Sequence, residues 1–271
     1  MFCCSLPGKV VVVTGGASGL GLAISHAFAD RGARLALLAR NQAALDEAVA
    51  GFEARGVECV GIPCDATDER RCQRAIEQFI EGLGGIDVLV NNAGITHRSA
   101  FVDTDIDVYR RVMEVIYFGA IHCTRAALPS LLGRGGQIIA ISSVAGFAPV
   151  LGRTGYAGAK HAMIGFFSSL GAELRDRGVS VLVVTPGFGS TNIHANALGG
   201  DGERSTTPRS TAGKVISAEQ AAAQIVRASE RDQRRLAITP VAKASRISST
   251  VGPGLYEWIM IRSLGSELEG Q

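Results

Sequence analysis

Residues 9–14, KVVVVT, set four valines side by side with no polar residue between them. A strand with one wet face alternates apolar and polar positions. An unbroken β-branched run therefore predicts a strand buried on both faces, as in a parallel sheet. Similar runs recur at 34–39 (RLALLA), 57–62 (VECVGI), 87–90 (DVLV), 137–142 (QIIAIS), 179–184 (VSVLVV) and 235–239 (RLAIT). Between them the apolar spacing widens to a helical period. That spacing predicts helices up to residue 29, then over 42–54, 69–80, 105–133, 154–175 and 217–230. Seven strands alternating with helices predict an α/β fold with a doubly wound parallel sheet.

Ligands of such sheets bind at the carboxyl ends of the strands, near the switch in strand order. The chain's polar and glycine-rich stretches fall at those ends. The longest, 188–214, is rich in Gly, Ser and Thr. A loop of that length is usually either a lid or a disordered segment, and we expect a substrate lid. With no repeat and no linker, the 271 residues read as one domain with a C-terminal extension at about 241–271.

Composition narrows the function. Hydrophobic residues make up 46% and charged residues 19%, which excludes a disordered chain. A net charge of +2 without a basic run gives nucleic-acid binding no support. The six cysteines (Cys3, Cys4, Cys59, Cys64, Cys72 and Cys123) form no C-x-x-C pair and have no zinc spacing. Reduced thiols in a cytoplasmic protein without a metal are expected. Cys3-Cys4 has no apolar or polybasic segment beside it to suit a lipid anchor. Strand-like sequence begins at Lys9, which leaves no room for a signal peptide, and no apolar run approaches a membrane span.

TGGASGLG (14–21) lies between the first strand and the first helix. Glycines at 15, 19 and 21 let the backbone turn tightly and approach a pyrophosphate. The helix N-terminus then offers unpaired N–H groups and a partial positive charge. A glycine triplet alone could be a plain turn; its position makes it a dinucleotide site, with Gly15, Ser18, Gly19, Leu20 and Gly21 as candidate contacts. At the end of the second strand an acid would bond the ribose 2′-hydroxyl and repel a 2′-phosphate. The chain has Arg40 there, which can pair with that phosphate or stack over adenine. We expect NADP(H) rather than NAD(H). Asp65 can accept from the adenine amino group, or it can be a helix N-cap.

TGGASGLG, NNAG (91–94), ISS (141–143), YAGAK (156–160) and PG (186–187) occur in this order. Together they resemble the short-chain dehydrogenase/reductase family over nearly the whole chain. TNIHANALGGDG (191–202) and VGPGLYEWIM (251–260) resemble its branch of lipid- and carbonyl-reducing members numbered seven. The resemblance implies a single Rossmann domain with strand order 3-2-1-4-5-6-7. It also implies a nicotinamide cofactor and a homodimer or homotetramer. The family spacing of serine to tyrosine selects Ser143, not Ser142, as partner of Tyr156. Asn92 matches the asparagine that supports the cofactor ribose region. Thr191, four after Gly187, matches the residue that meets the carboxamide.

Tyr156 and Lys160, four apart on a helix, share one face. A free phenol has pKa near ~10 and keeps its proton at neutral pH. A neighbouring ammonium and an oxidised nicotinamide ring would stabilise the phenolate. Tyr156 then gives a proton to a carbonyl oxygen or takes one from an alcohol. Ser143 orients that oxygen, and Lys160 holds the nucleotide ribose. One position departs from the family. Ile116 stands where an asparagine usually helps hold a helix distortion and a water that links the lysine to solvent. His97 and His194 could reach the cleft mouth but read as surface residues, and His161 faces away. Trp258 suits helix packing or subunit contact, an entry path for a greasy substrate, or weak contact with a membrane surface.

These readings converge on an enzyme, an NADP(H)-dependent oxidoreductase interconverting a carbonyl and an alcohol on an apolar lipid-, steroid- or cyclic-ketone-like small molecule. An NAD-dependent alcohol dehydrogenase and a non-catalytic nucleotide-binding protein are the alternatives.

Overall fold

The computed structural model describes residues 5–187, 197–205 and 216–264. The expected contact Thr191, together with His194 and Cys3-Cys4, lies outside the described residues. The chain runs β1 (Val10–Thr14), α1 (Gly19–Ala29), β2 (Arg34–Ala39), α2 (Gln42–Glu53), β3 (Cys59–Pro63), α3 (Glu69–Leu83) and β4 (Val88–Asn91). It continues through α4 (Ile106–Met113), α5 (Gly119–Arg134), β5 (Gln137–Ile141), α6 (Thr154–Glu173) and β6 (Ser180–Thr185). The last elements are α7 (Ala218–Glu230), β7 (Arg235–Ala237), α8 (Pro240–Val251) and α9 (Pro253–Leu264).

The strands pair in parallel in the order β3-β2-β1-β4-β5-β6-β7, as the resemblance implied. Every residue of β1, β4 and β5 is buried, whereas the edge strands β3 and β7 are partly exposed. The unbroken apolar runs thus mark the sheet's centre. Successive side chains point to opposite faces. Val11, Val13, Leu35 and Leu37 pack on one side with Phe28 of α1, Phe52 of α2 and Ile225 of α7. Val10, Val12, Ala36 and Leu38 pack on the other with Ile76 of α3, Val112 of α4 and Met163 of α6.

At the amino end of the sheet, Asp87 is buried and bonds Lys9 at 2.9 Å, the Val10 N–H at 3.0 Å and Arg134 at 3.0 Å. These contacts tie β1, β4 and α5 together below the site. Burial raises the Asp87 pKa, but Arg134, the Val10 N–H and Lys9 outweigh it and hold the carboxyl below the usual range.

Element ends differ from the sequence reading where a local cap decides them. The last predicted strand stops at Ala237 because Thr239 caps α8, accepting from the Ala242 N–H at 3.1 Å, and Pro240 occupies the first turn. The single long helix expected over 105–133 is two helices joined by a π turn, Glu114–Phe118. The combined helix Ile106–Arg134 is long and apolar enough to cross a membrane, but its buried face packs against α3 and α6 within the domain.

Candidate active site

The β1–β4 neighbourhood, where strand order reverses, opens into a cavity of about 590 Å³. At one end lies the glycine turn. Gly15 has φ +66, a left-handed conformation that glycine adopts without strain. A Cβ at Gly21 would stand 2.1 Å from the Gly15 carbonyl oxygen, so α1 can meet the turn only without a side chain there. Ser18 precedes α1 in an extended conformation and makes no capping hydrogen bond, and the first turn carries no acid. The N–H groups there remain available to an anion. Ser18, Gly19, buried Leu20 and exposed Arg40 all line the cavity. Arg40 makes no ion pair among the described residues. Asp65 is not a helix N-cap: Asp68 fills that role, accepting from the Arg71 N–H. The Asp65 Oδ1 instead accepts from Thr67 N and Oγ1, which fixes its carboxylate at the cavity wall.

Asn92 joins the two halves. Its N–H bonds Thr14 Oγ1 at 2.9 Å and its Nδ2 bonds the Thr14 carbonyl at 3.0 Å. Beyond it stand Ser143, Tyr156, Lys160 and Gly187, all lining the same cavity. The two adjacent serines separate by role. Ser142 is buried and donates to the Lys160 carbonyl at 3.0 Å, anchoring α6. Ser143 accepts from the Ala145 N–H at the start of a 3-10 turn, and its hydroxyl, on the same cavity wall, pulls the Tyr156 pKa down. Gly187 lies so near Thr239 that a Cβ would come within 2.2 Å of its Oγ1. The residues present thus fit an extended dinucleotide: open helix N–H groups and a guanidinium at one end, hydroxyls and an amine at the other.

The profile described as short chain dehydrogenase matches residues 9–200. The chain belongs to the short-chain dehydrogenase/reductase family. It is an oxidoreductase of the NAD(P)-linked type acting on a small molecule. This dehydrogenase is 37% identical to dehydrogenase/reductase SDR family member 7B of Bos taurus over 260 residues, covering 93% of the chain and 80% of the relative. It is 35% identical to dehydrogenase/reductase SDR family protein 7-like of Anopheles gambiae, covering 94% of the chain and 83% of that protein. A short-chain dehydrogenase from Streptomyces avermitilis superposes with a TM-score of 0.79 at 31% identity, covering 94% of this chain and 97% of that one. A Burkholderia phymatum short chain dehydrogenase/reductase, solved in complex with NAD, shares the fold with a TM-score of 0.82 at 23% identity, covering 93% and 96%.

Burial dominates the electrostatics of the dehydrogenase's site. Burial holds the Tyr156 pKa above its ordinary value, and the Ser143 hydroxyl and the Arg153 charge offset only part of that rise. Lys160 lies over the Tyr156 ring within cation–π range. Its ammonium sits 5.8 Å from the ring centroid and donates to the Ile141 carbonyl at 2.7 Å. Lys160 is 3% exposed, and burial lowers its own pKa to about 7. The π turn forms with Ile116 fully buried inside it, so the helix distortion does not need the asparagine side chain.

His97 is not a surface residue. It is fully buried; its Nε2 accepts from the Gly155 N–H at 2.9 Å, which leaves Nδ1 as the protonated nitrogen facing Ser99 Oγ. Burial and the Arg153 charge hold its pKa at about 4. His97 therefore fixes the start of α6 as a neutral ring. Cys64, Cys72 and Cys123 also line the cavity. The contact with Cys72 and burial raise the Cys64 thiol, and the contact with Cys123 and burial raise the Cys72 thiol, far above their usual range, so they pack rather than react.

Part of the expected lid is anchored. Leu198 bridges His97 and Arg204, and its N–H bonds the Thr96 carbonyl at 2.8 Å. The apolar C-terminal patch divides: Tyr256 and Met260 of α9 pack on the core, while Trp258 is 55% exposed under the Arg262 guanidinium. Sequence reasoning passed over Arg153. Its only signal was an arginine three positions before the tyrosine.

Proposed function

We propose that the enzyme is an NADP(H)-dependent reductase of apolar ketones or aldehydes, running in reverse as an alcohol dehydrogenase. One observation carries this reading: a single cavity joins Arg40 and the open N-terminus of α1 to Ser143, Tyr156 and Lys160. Gly15, Ser18, Gly19, Leu20 and Gly21 would hold the pyrophosphate, Arg40 the 2′-phosphate and Asp65 the adenine. Asn92, Lys160, Gly187 and Thr191 would hold the nicotinamide half. The nucleotide, when bound, supplies or accepts the hydride.

The chain's own groups handle the oxygen. Ser143 Oγ donates to the carbonyl oxygen and stabilises its growing negative charge. The Tyr156 hydroxyl gives its proton to that oxygen, or accepts one from the alcohol in the reverse direction. Ile95, Val115, Val144 and Val150 line the cavity, which supports an apolar substrate. We further propose a cytoplasmic homo-oligomer. The exposed Val251, Leu255, Trp258 and Ile259 support a subunit contact or weak contact with a membrane surface.

The test is a carbonyl-substrate screen followed by nicotinamide absorbance, run with NADPH and NADH on the parent and on Arg40→Asp. The reading expects a preference for NADPH that the substitution abolishes. A preference for NADH, or one that ignores residue 40, overturns the assignment of Arg40. Bound nucleotide with no turnover on any carbonyl would leave only a binding function.

A further inference from the structure

We infer that His97 is a positioning residue for Tyr156: its imidazole, reaching from the loop after β4, holds the first turn of α6 and with it the backbone that carries the phenol. This rests on the reading of Tyr156 as the proton donor. Among the described residues His97 does not line the cavity, so it acts through what it holds.

The first N–H groups of a helix have no acceptor inside it. At α6 the preceding residue, Arg153, gives no side-chain cap. His97 Nε2 takes the Gly155 N–H instead, at 2.9 Å and from 58 residues away in sequence. Gly155 directly precedes Tyr156, so the bond fixes the backbone from which the phenol projects. The approach is close. A Cβ at Gly155 would stand 3.1 Å from Nε2 and 2.7 Å from the Tyr109 ring. A side chain there would displace one ring or the other. Tyr109 of α4 in turn packs edge-on to the imidazole, with 5.6 Å between centroids.

The far side of the ring decides which nitrogen accepts. Nδ1 lies 3.3 Å from Ser99 Oγ, and Ser99 Oγ lies 2.7 Å from Thr104 Oγ1, which donates to the Ala100 carbonyl. A carbonyl can only accept. The protons therefore run one way, from Ser99 to Thr104 and from Thr104 to Ala100, and the Ser99 oxygen accepts from Nδ1–H. Nε2 is then the bare nitrogen, turned to Gly155. At neutral pH the ring is uncharged, which keeps Nε2 an acceptor. The backbone around the ring is pinned as well. The Ser99 N–H bonds the Gly152 carbonyl at 3.1 Å. The Leu198 N–H bonds the Thr96 carbonyl at 2.8 Å, and the Arg98 N–H bonds the Leu198 carbonyl at 2.7 Å. The His97 loop thus joins the 197–205 segment to the catalytic helix.

The test is steady-state kinetics with NADPH and the best carbonyl substrate of the screen. Phenylalanine at 97 keeps a ring but offers Gly155 no acceptor. Glutamine places an oxygen near the Nε2 position, whereas asparagine reaches only as far as Nδ1. His97→Phe should lower kcat at least ~10-fold, with NADPH affinity within about twofold of the parent's. His97→Gln should recover most of the lost kcat. Added to Tyr156→Phe, His97→Phe should cost no further turnover, because the phenol it positions is gone. Should His97→Phe fail to fold, His97→Asn takes its place with the same expectations. An unchanged kcat in the folded variant, or a loss that His97→Gln shares in full, overturns the inference. Tyr156→Phe alone tests the proton-donor reading. Parental activity there overturns that reading and this one with it, whereas an additive double variant overturns this one alone.

Discussion

Replacing Lys160 by methionine should make the nucleotide-free protein more stable while removing its activity. The ammonium is buried with no carboxylate beside it, and its pKa falls from an ordinary 10.5 to about 7. A folded value below the unfolded one means stability that is present above the unfolded pKa and lost as pH falls through the folded pKa. At neutral pH that loss amounts to about 4 kcal/mol at 1.36 kcal/mol per pH unit. The hydrogen bond to the Ile141 carbonyl, 2.7 Å, returns about 1.5–3 kcal/mol of the total. Methionine keeps the apolar stem and discards the charge. The net expectation is a gain of about 2 kcal/mol, or roughly 4–8 °C in Tm for a chain of this size. Thermal unfolding by circular dichroism across pH 7 to 9 is the assay. The parent should gain about 2 kcal/mol over that range as Lys160 deprotonates, and the variant should show no such rise. A variant less stable than its parent, with the same pH slope, would refute the reasoning.

The remaining expectations concern single contacts. His97, with a pKa of about 4 against an ordinary 6.5, loses its contribution as pH falls between those values. Relative to His97→Gln, the parent should lose about 2 kcal/mol of stability between neutral pH and pH ~5, read by denaturant unfolding. Asp87→Ala leaves Lys9 and Arg134 without their shared carboxylate and should cost about 3 kcal/mol in the same assay, with kcat unchanged because Asp87 lies at the far end of the sheet. Ile116→Asn places an amide in the π turn and should lower stability by about 1–3 kcal/mol while leaving turnover equal or higher. A large loss of activity in that folded variant would contradict a proton relay merely weakened by isoleucine.

Much of the architecture was legible because the strands are buried on both faces. Runs such as 10–13 and 138–141 have no other reason to be so uniformly apolar, and their alternation with helices forces the parallel sheet. The ends were less legible because they depend on one side chain. Thr239 converts the tail of a predicted strand into a helix cap, and the π turn follows from backbone bonding that apolar periodicity does not record. At the site, helical spacing paired Tyr156 with Lys160 and the family resemblance added Ser143, and all three line one cavity. It could not say which way the lysine would turn. Tyr156 and Lys160 do share a face, yet the Ile141 carbonyl, nineteen residues away in sequence, takes the ammonium. Asp65 was ambiguous between a cap and a free carboxylate; Asp68 takes the cap. His97 looked like a surface residue because polarity usually marks exposure, and Arg153 carried no motif to single it out. The burial of His97 depends on Tyr109 of α4, Gly155 of α6 and the bridge to Leu198.

The most direct measurement is turnover of Tyr156→Phe, purified as a folded protein that still binds NADPH, with the best carbonyl substrate of the screen. Loss of the hydroxyl should lower kcat by at least ~100-fold with nucleotide affinity little changed. A variant that reduces the carbonyl as fast as the parent would contradict the role given to the Tyr156 proton.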